Sequence, residues 1–305
     1  MPVIIEQVPN TSVQALLDWA MHCIENQADL TFQSPVFEAR ILFTHATNKN
    51  HTWMITHAND MLEGQISNEQ VKHFVQLLTQ RLNGKPIAFI LGTQSFWSLT
   101  LKVSDCTLIP RQDTETLVET VLSLTLPNNA TVLDLGTGTG AIALALAKEN
   151  PQWQVSGLDS VKDAVALAKE NAKLNSLAVT FLQSDWFSAL NSDVCGNRFD
   201  LIVSNPPYVE EDSEYVLQGD LRFEPLSALV SGKDGLDDIR LIINQSKEYL
   251  NSAAYLVIEH GEHQYKNVQA LLCEAGFTEV KSIEDLNHIP RITLGQWPIS
   301  VLTEV

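Results

Sequence analysis

From about Ala130 onward, short apolar runs alternate with stretches of helical period, and few folds can accommodate that alternation. TVLDL leads into AIALALAKEN and WQVSGLD into VKDAVALAKENAKLN; VTFLQ, FDLIVSN, LDDIRLIINQSKEYL, AAYLVIEH and HQYKNVQALLCEAG follow. Strands that alternate with helices pair in parallel, because each helix carries the chain back across a face of the sheet. The pattern therefore predicts an α/β domain whose parallel sheet is covered on both faces. The last two runs, TEVKSIED and RITLGQW, have no helix between them and are expected to form an antiparallel hairpin at the sheet edge.

The chain before this region reads differently. Residues from about 10 to 84 have helical texture, clearest in SNEQVKHFVQLLTQRLNGKP, where Ser67 and Gln70 have capping-box spacing and Gly84 and Pro86 supply the stop. Val71, Phe74, Val75, Leu78 and Leu82 form one apolar stripe, and Leu16, Trp19 and Met21 belong to a similar one. These stripes read as core. The expected division is a small helical bundle over 1–85, an extended linker hairpin over 86–115 and the α/β domain over 116–305. The formal net charge of −18 over 305 residues argues against a long nucleic-acid surface, which needs clustered Lys and Arg. Cys23, Cys106, Cys195 and Cys273 are dispersed and read as free thiols of a reducing compartment. No signal peptide or membrane span is recognisable, so the expected location is the cytoplasm.

VLDLGTGTGAIALALA is a strand, a glycine turn and a helix. Gly136, Gly138 and Gly140 let the backbone turn sharply and approach a ligand closely. Asp159, at the end of the next strand, is placed to hold two ribose hydroxyls. A dinucleotide and S-adenosylmethionine both fit such a turn. Asp134, just before the glycines, sits badly beside a pyrophosphate and well beside an ammonium group, which favours S-adenosylmethionine. In QSDWF, at a third strand end, Asp185 is placed for the adenine amine and Trp186 for its ring.

The fourth strand of this series, FDLIVS, runs into Asn205-Pro206-Pro207-Tyr208. Ligands in open α/β sheets bind outside the carboxyl ends of the strands, so this corner lands beside the cofactor. Its prolines fix φ and hold the preceding residue extended. The Asn205 side-chain oxygen and the Pro206 carbonyl are acceptors, and Tyr208 offers a flat face. Together they suit a planar NH2 group, whose two hydrogens the acceptors take while its nitrogen is aimed at a methyl carbon about 3–3.5 Å away. His260 and His263 lack the further ligands that a metal site requires, so no metal is expected. Arg222 and Glu224 are expected to form an ion pair bracing the loop after Tyr208.

DLGTGTG, SDWF, VSNPPY, GDLRFEPLSALVSGKDGL and RITLG together resemble the HemK/PrmC family, the peptide chain release factor glutamine N5-methyltransferases. The resemblance spans nearly the whole chain, LIPRQDTE included. It implies a seven-stranded, Rossmann-like S-adenosylmethionine-dependent methyltransferase domain behind a helical substrate-recognition domain. It also implies methylation of the glutamine amide in the Gly-Gly-Gln motif of class-1 release factors. By that resemblance Gly136, Thr137, Gly138, Thr139, Gly140, Asp159, Trp186 and Asn205 contact the cofactor, and Asn205, Pro206, Pro207 and Tyr208 hold the amide, with Asn205, Pro206 and Tyr208 catalytic. Gln112 stands where the family more usually has proline, and NSDVCGNRF is longer than usual. A ribosomal protein glutamine, a nucleic-acid amino group and a non-enzymatic cofactor-binding module remain as alternative readings.

Overall fold

The computed structural model of the protein describes residues 7–27, 34–190 and 198–299; Cys195 and most of NSDVCGNRF lie outside them. The chain divides into two compact units. One runs to Gly92 and takes in Leu217–Phe223; the other comprises Thr93–Val216 and the chain from Glu224 onward.

The first unit is built from helices α1 (Val13–Glu25), α2 (Pro35–Thr47), α3 (His51–Thr56), α4 (Asn68–Leu82) and α5 (Ile87–Leu91). The side chains of Ser12, Ser34, Asn50 and Ser67 cap the first four by accepting from a backbone N–H three residues on. The capping box at α4 closes in both directions, with Gln70 N donating to Ser67 Oγ at 3.2 Å and Ser67 N to Gln70 Oε1 at 2.9 Å. Leu16, Ile24, Leu42, Phe43, Phe74 and Leu78 are fully buried among these helices, with Phe43 and Phe74 meeting edge to face. The stripe of α4 also carries Arg81 inside, at 1% exposure. Its Nε and Nη2 donate to Glu38 at 2.8 and 3.1 Å, and Nη1 donates to Asp220 at 2.9 Å.

The second unit opens with an antiparallel hairpin, β1 (Thr93–Phe96) and β2 (Leu99–Lys102), followed by α6 (Glu115–Leu122). Then come β3 (Thr131–Leu135), α7 (Ala141–Glu149), β4 (Gln154–Asp159), α8 (Lys162–Leu174), β5 (Thr180–Gln183) and β6 (Phe199–Ser204). The remaining elements are α9 (Asp237–Ser246), β7 (Leu250–Glu259), α10 (Tyr265–Glu274), β8 (Thr278–Glu284) and β9 (Pro290–Gln296). Seven strands form one sheet in the order β5-β4-β3-β6-β7-β9-β8. The first five in that order are parallel, and β9 is antiparallel to both β7 and β8. The terminal hairpin thus forms as expected, but β9 inserts beside β7 and leaves β8 at the edge.

Period-two alternation explains why the central strands read as continuous apolar runs. Val132, Leu201, Val203 and Val257 pack with Leu117, Leu144 and Ala168 of α6, α7 and α8. Their neighbours Leu133, Ile202, Leu256 and Ile258 pack on the other face with Ile239, Ile242 and Leu272 of α9 and α10. Both faces of the sheet are therefore buried, and each such side chain contributes about 1.5–3 kcal/mol. The chain steps outward from β3 to β4 and β5, then returns to place β6 on the other side of β3. That reversal opens a crevice at the carboxyl ends of β3 and β6.

Candidate active site

The glycine turn leaves β3 at this crevice. Gly136 has φ 68°, a left-handed backbone that favours glycine, and a Cβ there would come into ordinary contact with the Trp186 ring at 3.5 Å. Gly138 N donates to Asp159 Oδ2 at 2.8 Å, and Val161 N donates to Asp159 Oδ1 at 2.9 Å. One carboxylate thus ties the turn to the start of α8. Each of its oxygens retains a lone pair for a ribose hydroxyl. Burial raises the Asp159 pKa, while the two backbone donors pull it down. Gly140 serves packing: at φ 83° it caps α7, and a Cβ would lie 3.0 Å from Phe181 and 3.2 Å from Ala168.

Asp134 does not have the place expected of it. It is fully buried, and its Oδ2 accepts from Thr137 Oγ1 at 2.6 Å and from Ala143 N at 3.2 Å, so it braces the turn from beneath. Its Oδ1 has no partner among the described residues, and burial pushes its pKa up to about 7.

Trp186 takes φ 46°, uncommon for a bulky residue, with its carbonyl held by Ser184 Oγ at 2.7 Å. Gly136, Thr137, Gly138, Asp159, Trp186 and Asn205 share the wall of a cavity of about 280 Å3. Thr139, Asp185 and Pro207 also line it; among the described residues Gly140, Pro206 and Tyr208 do not.

The corner after β6 is fastened on all sides. Ser204 Oγ donates to Leu135 O at 2.8 Å, joining the exits of β6 and β3. Tyr208 N and Val209 N both donate to Leu229 O, and Gln264 Nε2 donates to Tyr208 O at 3.0 Å. Asn205 Nδ2 donates to Thr114 Oγ1 at 3.2 Å. Among the described residues no donor takes Asn205 Oδ1, on the cavity wall, or the carbonyl of Pro206, which is buried behind it. The Tyr208 ring packs against the core of α9 and α10, and burial, with the Glu259 charge beside it, raises its pKa.

Sequence reasoning missed Thr114 and Glu259. Thr114 lies in LIPRQDTE and Glu259 in VIEHG; both are buried at this corner. The available signal was a carboxylate ending an otherwise apolar strand. The expected Arg222–Glu224 pair is replaced: Glu224 takes Arg111 and the backbone N of Ile109, while Arg222 lies over the Phe223 ring. His260 is buried, with its ring nitrogens facing Gly261 O and Thr293 Oγ1. Among the described residues no group of three or more His, Cys, Asp or Glu is arranged to hold a metal ion.

The lining chemistry separates the two cofactor classes. Asp159, Asp185 and Asp238 line the cavity, and its one cationic residue among those described, Arg111, is paired with Glu224. A pyrophosphate would meet net negative charge there, whereas a sulfonium with an ammonium group would be attracted. The residues fit S-adenosylmethionine.

Comparison with known proteins agrees with this chemistry. The Methyltransferase small domain family model matches residues 112–219, and the PrmC N-terminal domain model matches 15–92. A release factor glutamine methyltransferase of Shewanella oneidensis is 47% identical, over 87% of this chain and 90% of that protein. The protein of that name from Escherichia coli is 44% identical, over 87% and 93% of the respective chains. That from Haemophilus influenzae is 42% identical, over 92% and 98%. Among solved structures, a methyltransferase from Pyrococcus furiosus is similar in fold, with a TM-score of 0.50 and 17% identity over 72% of this chain and 97% of that one.

Proposed function

The chain belongs to the release factor glutamine methyltransferase family, and from that premise we propose that it methylates the side-chain amide nitrogen, N5, of the glutamine in the Gly-Gly-Gln motif of class-1 peptide chain release factors. The observation that carries this reading is the meeting of three strand exits in one cavity: the glycine turn after β3, Asp159 at the end of β4 and Asn205 after β6.

When bound, S-adenosylmethionine supplies a methyl group on a sulfonium that leaves as a neutral thioether. The chain's own residues position the reactants. Asp159 and the turn residues Gly136, Thr137, Gly138 and Thr139 take the ribose and the amino-acid part, Gly140 packing the turn from behind, and Trp186 walls the base. Asn205 Oδ1 and the Pro206 carbonyl accept the two amide hydrogens, with Pro207 and Tyr208 flanking them. The amide nitrogen loses conjugation as its lone pair forms the new N–C bond. The same two acceptors then stabilise the positive charge growing on the NH2 group before one proton passes to solvent. The helical region, residues 1–85, is assigned recognition of the partner protein. A translation-factor substrate places the reaction in the cytoplasm, and no helix among the described residues is long and apolar enough to cross a membrane.

The test is incubation with methyl-labelled S-adenosylmethionine and a release factor carrying either Gly-Gly-Gln or Gly-Gly-Ala, followed by mass-spectrometric mapping. Label on the glutamine alone is the expected result. Equal labelling of both factors, or label found on a ribosomal protein and not on the release factor, overturns it.

A further inference from the structure

Strand β7 lies beside β6 with Ile258 paired to Ser204, so the next residues, Glu259 and Asn205, emerge side by side. Glu259 is 2% exposed, and its Oε2 has no hydrogen-bond partner among the described residues. The polar side chains acting on it are those of Thr114 and Asn205. Thr114 is itself buried and already accepts from Asn205 Nδ2 at 3.2 Å. A buried carboxylate left this poorly satisfied is costly, and the glutamine methylation proposed above gives it no role.

We propose that Glu259 is a positioning residue that sets the orientation of the Asn205 amide through the Thr114 hydroxyl, and so decides whether the corner presents an oxygen or an NH2 to the substrate. The inference rests on the proposed glutamine methylation. A hydroxyl has one proton to give and two lone pairs to accept with, and an ionised carboxylate can only accept. With Glu259 ionised, the Thr114 proton turns to it, the Thr114 lone pairs face Asn205, and the carboxylate draws the Asn205 NH2 in the same direction. Asn205 must then turn its NH2 inward and its Oδ1 toward the cavity, the arrangement that receives an amide hydrogen. With Glu259 protonated, Glu259 can donate to Thr114, whose proton turns to Asn205. The Asn205 amide then flips and sets its NH2 against the substrate NH2, donor against donor.

The surroundings leave this relay to Glu259 itself. From β9, Arg291 faces it but is shared between Asp285 at 3.3 Å and Asp113 at 3.8 Å. Asp113 opposes its charge, while Tyr208, which Arg111 also faces, lies beside it as a neutral phenol. His260, next in the chain, is held below the usual imidazole range by burial. Burial raises Glu259 to about 7, so the proton that would flip the relay exchanges near neutral pH.

The experiment measures kcat, the KM for a Gly-Gly-Gln release factor and the cofactor Kd across neutral pH. The proteins are the wild type, Glu259→Gln and Thr114→Val. Wild-type kcat is expected to rise with pH through about 7. Both variants are expected to lose about 10- to 100-fold in kcat, with a flat pH profile and with KM and Kd within about threefold of wild type. Variants that keep the wild-type rate, or that lose rate while keeping the wild-type pH profile, overturn the relay. Should Glu259→Gln not fold, Thr114→Val, which replaces the hydroxyl with a methyl group of similar size, decides alone. A wild-type protein that labels no glutamine would refute the methylation reading itself; one that labels glutamine as well as its variants do would refute only the relay.

Discussion

Asp159→Asn separates the two tasks assigned to that carboxylate. One oxygen accepts from Gly138 N at 2.8 Å and the other from Val161 N at 2.9 Å, which leaves two lone pairs for the ribose hydroxyls. In asparagine one of the two positions becomes an NH2, and whichever way the amide turns, it meets a backbone N–H. An unsatisfied donor of this kind costs about 1–3 kcal/mol. Against that, burial already raises the Asp159 pKa, so a neutral side chain is relieved of desolvation. The net loss of folding stability is therefore expected to stay near 1–2 kcal/mol, about the lower half of that range. The cofactor suffers more, losing one charge-assisted hydrogen bond outright and keeping a weaker neutral one. A loss of about 2–4 kcal/mol corresponds to roughly 30- to 1,000-fold in Kd. Calorimetric titration with S-adenosylmethionine measures this, and a thermal melt of the apo variant checks the fold. An intact variant that binds the cofactor within about threefold of wild type would refute the assignment of Asp159 to the ribose.

Two further outcomes concern stability. Arg81→Met strands Glu38 in the helical unit and is expected to cost about 3–5 kcal/mol in urea unfolding, most of it recovered by adding Glu38→Gln; a loss below about 1 kcal/mol would show that the pair is solvated. Glu259 is raised to about 7 when folded, whereas an unfolded glutamate titrates near about 4.3. The folded chain therefore holds a proton that the unfolded chain releases, a stabilisation complete below the unfolded value and lost as pH rises through the folded one. Wild type should accordingly lose about 2–3 kcal/mol relative to Glu259→Gln between about pH 5 and about pH 7.5 in urea unfolding. A gap independent of pH would contradict the burial argument.

What the sequence revealed follows from the range of the forces involved. Ser67 and Gln70 announce the start of α4 because a cap is local, and Gly136 to Gly140 announce the turn because few other residues adopt its backbone. The paired runs of β8 and β9 betray a hairpin, but nothing local shows β9 inserted next to β7, since strand order is settled by which faces bury together. The burial of Arg81 has no local signal, because its partner Glu38 lies 43 residues away. That Asn205, Asp159 and Trp186 would share one cavity wall was legible because strand exits converge in this topology. Thr114 and Glu259 were not, because their significance depends on which side chains meet behind Asn205. Asp134 was legible as important but misplaced: its neighbours in space are Thr137 and Ala143, and they turn it away from the cavity wall.

The central claim is that Asn205 and the Pro206 carbonyl fix one carboxamide for attack on a methyl group. Single-turnover methyl transfer by Asn205→Ala, with the cofactor Kd measured on the same preparation, tests it most directly. Cofactor binding within about threefold of wild type and a transfer rate lower by about 100-fold or more are expected. A transfer rate equal to that of wild type would contradict it.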